Sequence, residues 1–268
     1  MSGIMERTLA ILELLVSNPD GLPVSTIADN LDMPASAAHR LLKGLSQLGY
    51  VRQIRSQGDY ALTIRLAALG LNFLGKTGVT DIAQPTLDRL ASVSHELVRL
   101  SVIDYPNLVW VGVAQGATGG LRYDPGQDQG SVAHLASTAG GLAWLSTLSD
   151  DEALKLIAAQ GIAPPHGAGR HAPRSMADVM AAIEETRKRG YSISIDSFHA
   201  GMAAMAVPIR REPEGSPIGC LSIAGPSVRF TAERMEELLE PLQEAASEIG
   251  GASEASFFFN LGRSAPNR

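Results

Sequence analysis

Arg40, Lys43, Arg52 and Arg55 stand in a run of 26 residues, between Asp32 and Asp59, that contains no acidic side chain. With His39 beside them, the run has a formal charge of +4 inside a chain whose net charge is −6. Cations gathered against the overall sign of a protein attract a polyanion. Their chemistry would be phosphate neutralisation and hydrogen bonding to base edges, and duplex DNA fits it. Residues 1–65 hold six basic and six acidic side chains, whereas residues 66–268 hold 16 basic and 22 acidic. The second part would repel phosphate, so contact with a polyanion is confined to the first.

Other reactive residue types lie far apart. Ser222, in Gly219-Cys220-Leu221-Ser222-Ile223-Ala224, lacks the G-x-S-x-G frame of a nucleophile elbow. Gly116-Ala117-Thr118-Gly119-Gly120 misses the spacing of a dinucleotide-binding loop. His166 and His171 fall in a Gly/Pro-rich loop with no carboxylate or thiolate beside them, the setting of solvent-facing histidines rather than of a metal site. Nothing in the spacing of His134, Asp196 and His199 brings them together. No nucleophile–base pair stands at a recognisable separation, which argues against the alternative of an enzyme acting on a small organic acid with an accessory N-terminal module. No cofactor and no metal are expected.

The cations need elements to hold them. Ile4, Thr8, Ile11, Leu12 and Leu15 recur at helical spacing and predict an amphipathic helix over 4–17, stopped by Asn18-Pro19-Asp20-Gly21. Ser25 is placed as the N-cap of a short second helix carrying Ile27, Ala28 and Leu31. Pro34 suits the first position of a third helix, over 34–48, which should bury Ala38, Leu41, Leu42, Leu45 and Leu48 before Gly49 caps it. Its opposite face presents Ala35, Ser36, His39, Arg40, Lys43 and Gln47. Two strand-like runs, 50–54 and 59–63, are joined by Arg55-Ser56-Gln57-Gly58. Together these form a winged helix-turn-helix, with 34–48 as the recognition helix. The same pattern also suits a three-helix packing module with a merely solvated face.

At 268 residues, with 45% hydrophobic and 19% charged residues, two globular domains are expected. No apolar run is long enough to span a bilayer, and the first residues lack a signal-peptide layout. Cys220 is the lone cysteine, as in a reducing compartment, so a cytoplasmic protein is expected. Past a linker helix at 64–76 and a hinge to residue 78, residues 79–250 predict an α+β domain with a mostly antiparallel sheet: a helix at 81–95, strands at 97–103 and 108–114, and a helix to Gln160 opened by the capping box Ser149–Glu152. A helix from Ser175 to Gly190, strands at 191–198, 202–210 and 217–224, and a last helix after Thr231 complete it. A tail, 251–268, holds Phe257-Phe258-Phe259.

Thr8-Leu9-Ala10-Ile11-Leu12-Glu13-Leu14-Leu15, then Leu31-Asp32-Met33-Pro34-Ala35-Ser36, His39-Arg40-Leu41-Leu42 and Leu48-Gly49-Tyr50-Val51 resemble the isocitrate-lyase-regulator (IclR) family of bacterial transcription factors. Leu66-Ala67-Ala68-Leu69-Gly70, Arg187-Lys188-Arg189-Gly190-Tyr191-Ser192 and Leu221-Ser222-Ile223-Ala224-Gly225-Pro226 extend the match to about residue 250. The resemblance implies a DNA-binding regulator with a GAF-like effector domain, a homodimer or tetramer paired through the linker helix, and a double-stranded operator. Ser25, Ser36, His39, Arg40, Lys43, Arg52 and Arg55 are then the DNA-contacting set. The family often has hydroxyl or β-branched residues where this chain has Ala37 and Ala38, which shifts base readout to Ser36, His39 and Arg40. The resemblance also implies a small carboxylate effector, with Ala139 and Gly140 at a helix mouth and Ser194, Ala204, Ser222 and Ala224 on facing strands. Ala204 and Ala224 replace a common cysteine and serine. The loss of two polar groups suggests a larger, aromatic acid, or else alanines that simply fill the core.

Overall fold

The structure, a computed structural model, describes residues 3–54, 58–123, 129–164, 169–211 and 215–253. It falls into two compact units, Met1–Lys76 and Thr77–Arg268.

The first unit holds α1 (Ile4–Val16), α2 (Val24–Asn30), α3 (Ala35–Gln47), β1 (Val51–Gln53), β2 (Tyr60–Leu62) and α4 (Arg65–Thr77). Ile11 and Leu15, one turn apart on α1, are fully buried with Ile27, Ala28, Ala38, Leu42, Val51 and Tyr60. That stripe fixes how three short helices pack, since each is too short to be stable alone. α2 begins after Pro23, whose extended backbone makes it the N-cap. Ser25 therefore sits in the first turn as an exposed residue and not at the cap, because burial of Ile27 and Ala28 sets the helix phase. Pro34 likewise precedes α3 as its extended N-cap rather than opening it. Asp32 (φ 45°) makes the turn between the two helices, and the Met33 amide donates to the Ala28 carbonyl at 3.0 Å.

Gly49, at φ +78°, ends α3 in the left-handed region that favours glycine, and the Tyr50 amide donates to the Leu45 carbonyl (2.9 Å). β1 and β2 pair antiparallel, Val51 opposite Leu62. Two expected core residues are exposed instead: Ile4 at 70%, in the first turn of α1, and Leu48 at 62%, the cap residue that follows the turn toward β1. Ala38 is fully buried, so its methyl packs the core and cannot face a groove.

The second unit opens with α5 (Val79–Ser94) and builds a five-stranded antiparallel sheet from β3 (Leu97–Asp104), β4 (Asn107–Gln115), β5 (Ser192–Ile195), β6 (Met202–Arg210) and β7 (Pro217–Pro226), in the order β4-β3-β7-β6-β5. α5 and α9 (Ala232–Ala252) cover one face, where Leu87, Leu238 and Leu242 pack on Val98, Leu100, Met205 and Ile223. α6 (Ala139–Leu145), α7 (Asp150–Gln160) and α8 (Met176–Arg189) cover the other, where Trp144, Leu145 and Ile183 meet Ala206 and Cys220. Capping boxes at Ser149–Glu152 and Ser175–Asp178 open α7 and α8. β5 stops at Ile195, short of the expected residue 198, because Asp196 turns into the left-handed region (φ 48°).

α6 is buried on every side. A Cβ at Gly141 would lie 2.3 Å from the Leu135 carbonyl oxygen, so only glycine permits this approach. The contrast between a filled and a wetted stripe gives a direct expectation. Leu42→Ala should destabilise the first unit by ~2–5 kcal/mol through lost burial and a cavity, whereas Leu48→Ala should cost under ~0.5 kcal/mol. Urea unfolding of the full-length variants, followed by fluorescence and circular dichroism, checks both values.

Candidate nucleic-acid interface and ligand cleft

Ser36, His39, Arg40 and Lys43 share one exposed stripe of α3, at i, i+3, i+4 and i+7. Arg52 is exposed on β1. No acidic residue lies in α3, and among the described residues Arg40, Lys43 and Arg52 form no ion pair. Their charge is therefore not cancelled within the unit. Ser25 is exposed on the first turn of α2, while Arg55 lies outside the described residues. The sequence thus gathers the α3 contacts on a single surface, with the small side chains of Ala35 and Ser36 leaving its N-terminal end open.

A cleft in the second unit encloses about 360 Å³, counting its open mouth. Ala139, Ser194, Ala204 and Ala224 line it, together with Arg99, Tyr123, Thr138, Phe198, His199, Met202 and Ala203. Gly140 and Ser222 do not. Gly140 faces Ser101, Leu108 and Cys220, and the Ser222 hydroxyl is buried and donates to the Arg99 carbonyl at 3.4 Å. Ala204 and Ala224 lie opposite each other across β6 and β7, so their methyls form one floor. Both border the cleft, and Ala204 also packs against the core cluster under α6.

Most polar groups here are already engaged. The Thr138 hydroxyl donates to the His134 carbonyl (2.8 Å) and accepts from the Gly141 amide (3.0 Å), capping α6. Ser194 donates to the Ser137 carbonyl at 2.7 Å. Tyr123 Oη and His199 Nε2 are 3.2 Å apart, and the Phe198 and His199 rings meet with centroids at 4.3 Å. The Arg99 guanidinium, 8% exposed as a residue, lies over the Trp110 ring at 4.8 Å and the Tyr123 ring at 5.9 Å. Tyr123 is held by its neighbours: Gln115 donates to its carbonyl at 2.8 Å. Two residues earlier, the Leu121 carbonyl accepts from Arg229, whose fork also grips buried Glu96.

His134, Asp196 and His199 do not form one cluster. The Gly201 amide and Arg170 bond Asp196 and hold its carboxyl below the usual range. His134 Nδ1 lies 2.7 Å from Ser137 Oγ, and only His199 reaches the cleft. The His171 amide donates to the Asp196 carbonyl, and His166 lies outside the described residues. Among the described residues no three His, Cys, Asp or Glu side chains are placed to hold a metal ion. Cys220 is buried under α6, and burial pushes its thiol far up, which leaves it unreactive.

A winged helix-turn-helix followed by an α+β unit with a small cleft is the build of a DNA-binding regulator. Residues 5–55 match the IclR helix-turn-helix domain and residues 71–250 match the C-terminal domain of the bacterial transcriptional regulator IclR. The chain belongs to the IclR family; it is a transcriptional regulator and not an enzyme. It is 30% identical to the acetate operon repressor of Salmonella typhimurium over 91% of this chain and 88% of that protein. The crystal structure of Thermotoga maritima IclR is similar at a TM-score of 0.70 and 25% identity, covering 92% of this chain and 96% of that one. An IclR homolog from Microbacterium hydrocarbonoxydans, complexed with 4-hydroxybenzoate, shares the fold at a TM-score of 0.75 and 21% identity, over 95% of this chain and 100% of the other.

Sequence reasoning passed over Arg99, Tyr123, Thr138 and Phe198, which also line the cleft. For Arg99 a signal exists: it is the single charge in the apolar run Leu97-Val98-Arg99-Leu100-Ser101-Val102, and a buried charge needs a reason. The others come from loops whose proximity only the fold creates.

Burial lowers the pKa of His134 from the ordinary 6.5. The folded protein keeps this ring neutral where the unfolded chain binds a proton, so its contribution is complete above pH 6.5 and declines as pH falls below that value. The melting temperature of the full chain should fall on acidification from pH 7 to 5.5, and His134→Gln should flatten that fall. Scanning calorimetry across this range checks both.

Proposed function

We propose that the protein represses transcription by binding a palindromic operator as a homodimer or tetramer, and that a small carboxylate metabolite in the cleft alters this binding. The observation that carries the first half is the uncancelled cationic stripe of α3. A helix with small residues at its N-terminal end and cations along one face is suited to the major groove, with Arg40 and Lys43 within reach of bases or phosphates and Arg52 on the wing. The acidic balance of residues 66–268 supports confining DNA contact to the first unit. Repression, rather than activation, is supported by the acetate operon repressor among the relatives.

Subunit pairing through the linker helix is supported by α4, which leaves Leu69 and Phe73, one turn apart on the same face, exposed. Such a stripe is costly in water unless a second copy covers it. No helix among the described residues is long and apolar enough to cross a membrane, which agrees with action in the cytoplasm.

The effector reading rests on the cleft and on the homolog that holds 4-hydroxybenzoate. Ligand would act by preferring one of two arrangements of the paired recognition helices, since only a difference in affinity between states can shift their balance.

Two outcomes test the DNA half. Lys43→Ala should weaken binding to specific and nonspecific DNA alike and lower the slope of log K against log salt by about one. Arg40→Ala should also lose ~1–3 kcal/mol of discrimination at one base pair. Electrophoretic retardation and fluorescence anisotropy across salt concentrations give both, and parental behaviour in the two variants removes the α3 assignment. Footprinting should reveal two inverted half-sites whose centres lie ~10 base pairs or a multiple apart; one asymmetric half-site with a monomer in solution would exclude the paired arrangement.

A further inference from the structure

Two half-sites can be read together only if the recognition helix keeps a fixed angle to the helix that pairs the subunits. The inference rests on the reading of α3 as the first of these and α4 as the second. Hydrophobic packing does little to fix that angle, since no residue of α4 from Arg65 to Lys76 is buried. The first turn of α4 is held by polar contacts instead, and they lead straight to the end of α3.

The Gly49 carbonyl, just past α3, has no partner within that helix. It accepts from the Thr63 hydroxyl at 2.6 Å. The Thr63 amide donates to the Tyr50 carbonyl at 2.9 Å, and the Tyr50 amide donates back to Leu45 inside α3. On the other side, the Arg65 amide, at the start of α4, donates to the Thr63 hydroxyl oxygen at 3.2 Å. One side chain thus accepts from one helix and donates to the end of the other. The Arg65 guanidinium lies over the Tyr50 ring at 5.2 Å, and its Nη1 stands 3.5 Å from where a Cβ at Gly49 would be. A cation there faces the negative end of the α3 dipole and the face of a ring, both favourable. We propose that Thr63 and Arg65 are positioning residues for DNA discrimination. They join the recognition helix to the linker helix as one piece, so that a shift of α4 carries α3 with it, and neither touches DNA.

Binding by the full-length protein to duplexes that the parent selects from a random pool, with poly(dI-dC) as the nonspecific probe, tests the assignment. Thr63→Val keeps the shape without the hydroxyl. It should weaken the selected duplex by about three- to tenfold and leave poly(dI-dC) within about twofold. Thr63→Ser, which restores the hydroxyl, should stay within about twofold of the parent on both. Arg65→Gln should weaken the selected duplex by about threefold with an unchanged slope of log K against log salt. Spin labels at Gln47→Cys on α3 and Leu71→Cys on α4, both exposed positions, read the joint without DNA. The one native cysteine is buried, and dilution with unlabelled chain isolates the distance within a subunit. That distance should be narrowly distributed in the parent and in Thr63→Ser, and broader in Thr63→Val. Equal losses on both probes in Thr63→Val, or a parental distance distribution, would overturn the joint. A slope lowered by about one in Arg65→Gln would make Arg65 a phosphate contact and overturn its positioning role. A parent that selects no sequence removes the reading of α3 instead, and the label distances still decide whether the joint exists.

Discussion

The approach of α6 to the sheet governs the layout of the second unit. A helix without an exposed face cannot be held by amphipathicity, and its seven residues are too few for intrinsic stability. Contact at backbone distance replaces both. Gly141 lies against Leu135 where no Cβ fits, and the Ser192 hydroxyl donates to the Ala139 carbonyl at 2.6 Å. The sheet accommodates this with small residues on the facing side, among them Ser101, Ala206, Cys220 and Ser222. The cleft is what remains where α6 begins, bounded by Thr138 and Ala139 on one side and by loop side chains on the other. Tight packing at the centre thus creates the space at the margin.

Much of the first unit was legible because its signals are local. The i, i+4 stripe of α1, the left-handed Gly49 and the breakers around Pro19 act within a few residues of themselves. The second unit was legible where the same holds: the capping box at Ser149 and the helix start at Ser175 announced α7 and α8, and β3, β4, β6 and β7 fell close to their expected spans. Burial on all sides left α6 without a period to read, so that only the family resemblance placed a helix mouth at Ala139 and Gly140. The end of β5 escaped because an aspartate, not a glycine, takes the left-handed turn. Leu48 misled because a stripe counted from sequence continues past the point where the helix stops. The cleft was hardest to read. Residues 99, 123, 138, 199 and 224 meet only through long-range strand pairing, which no short window encodes.

Charge is organised on the same separation of local from distant. In the first unit, cations are left uncancelled at the surface, where a phosphate can replace water. In the second, the prominent buried charges are answered internally: Glu96 by the Arg229 fork and Asp196 by Arg170 and the Gly201 amide. A buried charge with its partner removed is costly, so these pairs hold the segments they join in fixed places. One of those segments leads directly to Tyr123, which ties a cleft ring to a structural ion pair.

The burial of Cys220 under α6 also makes the chain its own clock. A thiol closed off by a helix and held in its protonated form reacts with an external reagent only during the moments when that helix lifts away. As the lone cysteine of the chain, it gives a single labelling rate, free of background, that reports the opening frequency of one seven-residue helix. Occupancy of the neighbouring cleft, which shares Ala139 with that helix, would be heard as a change of tempo.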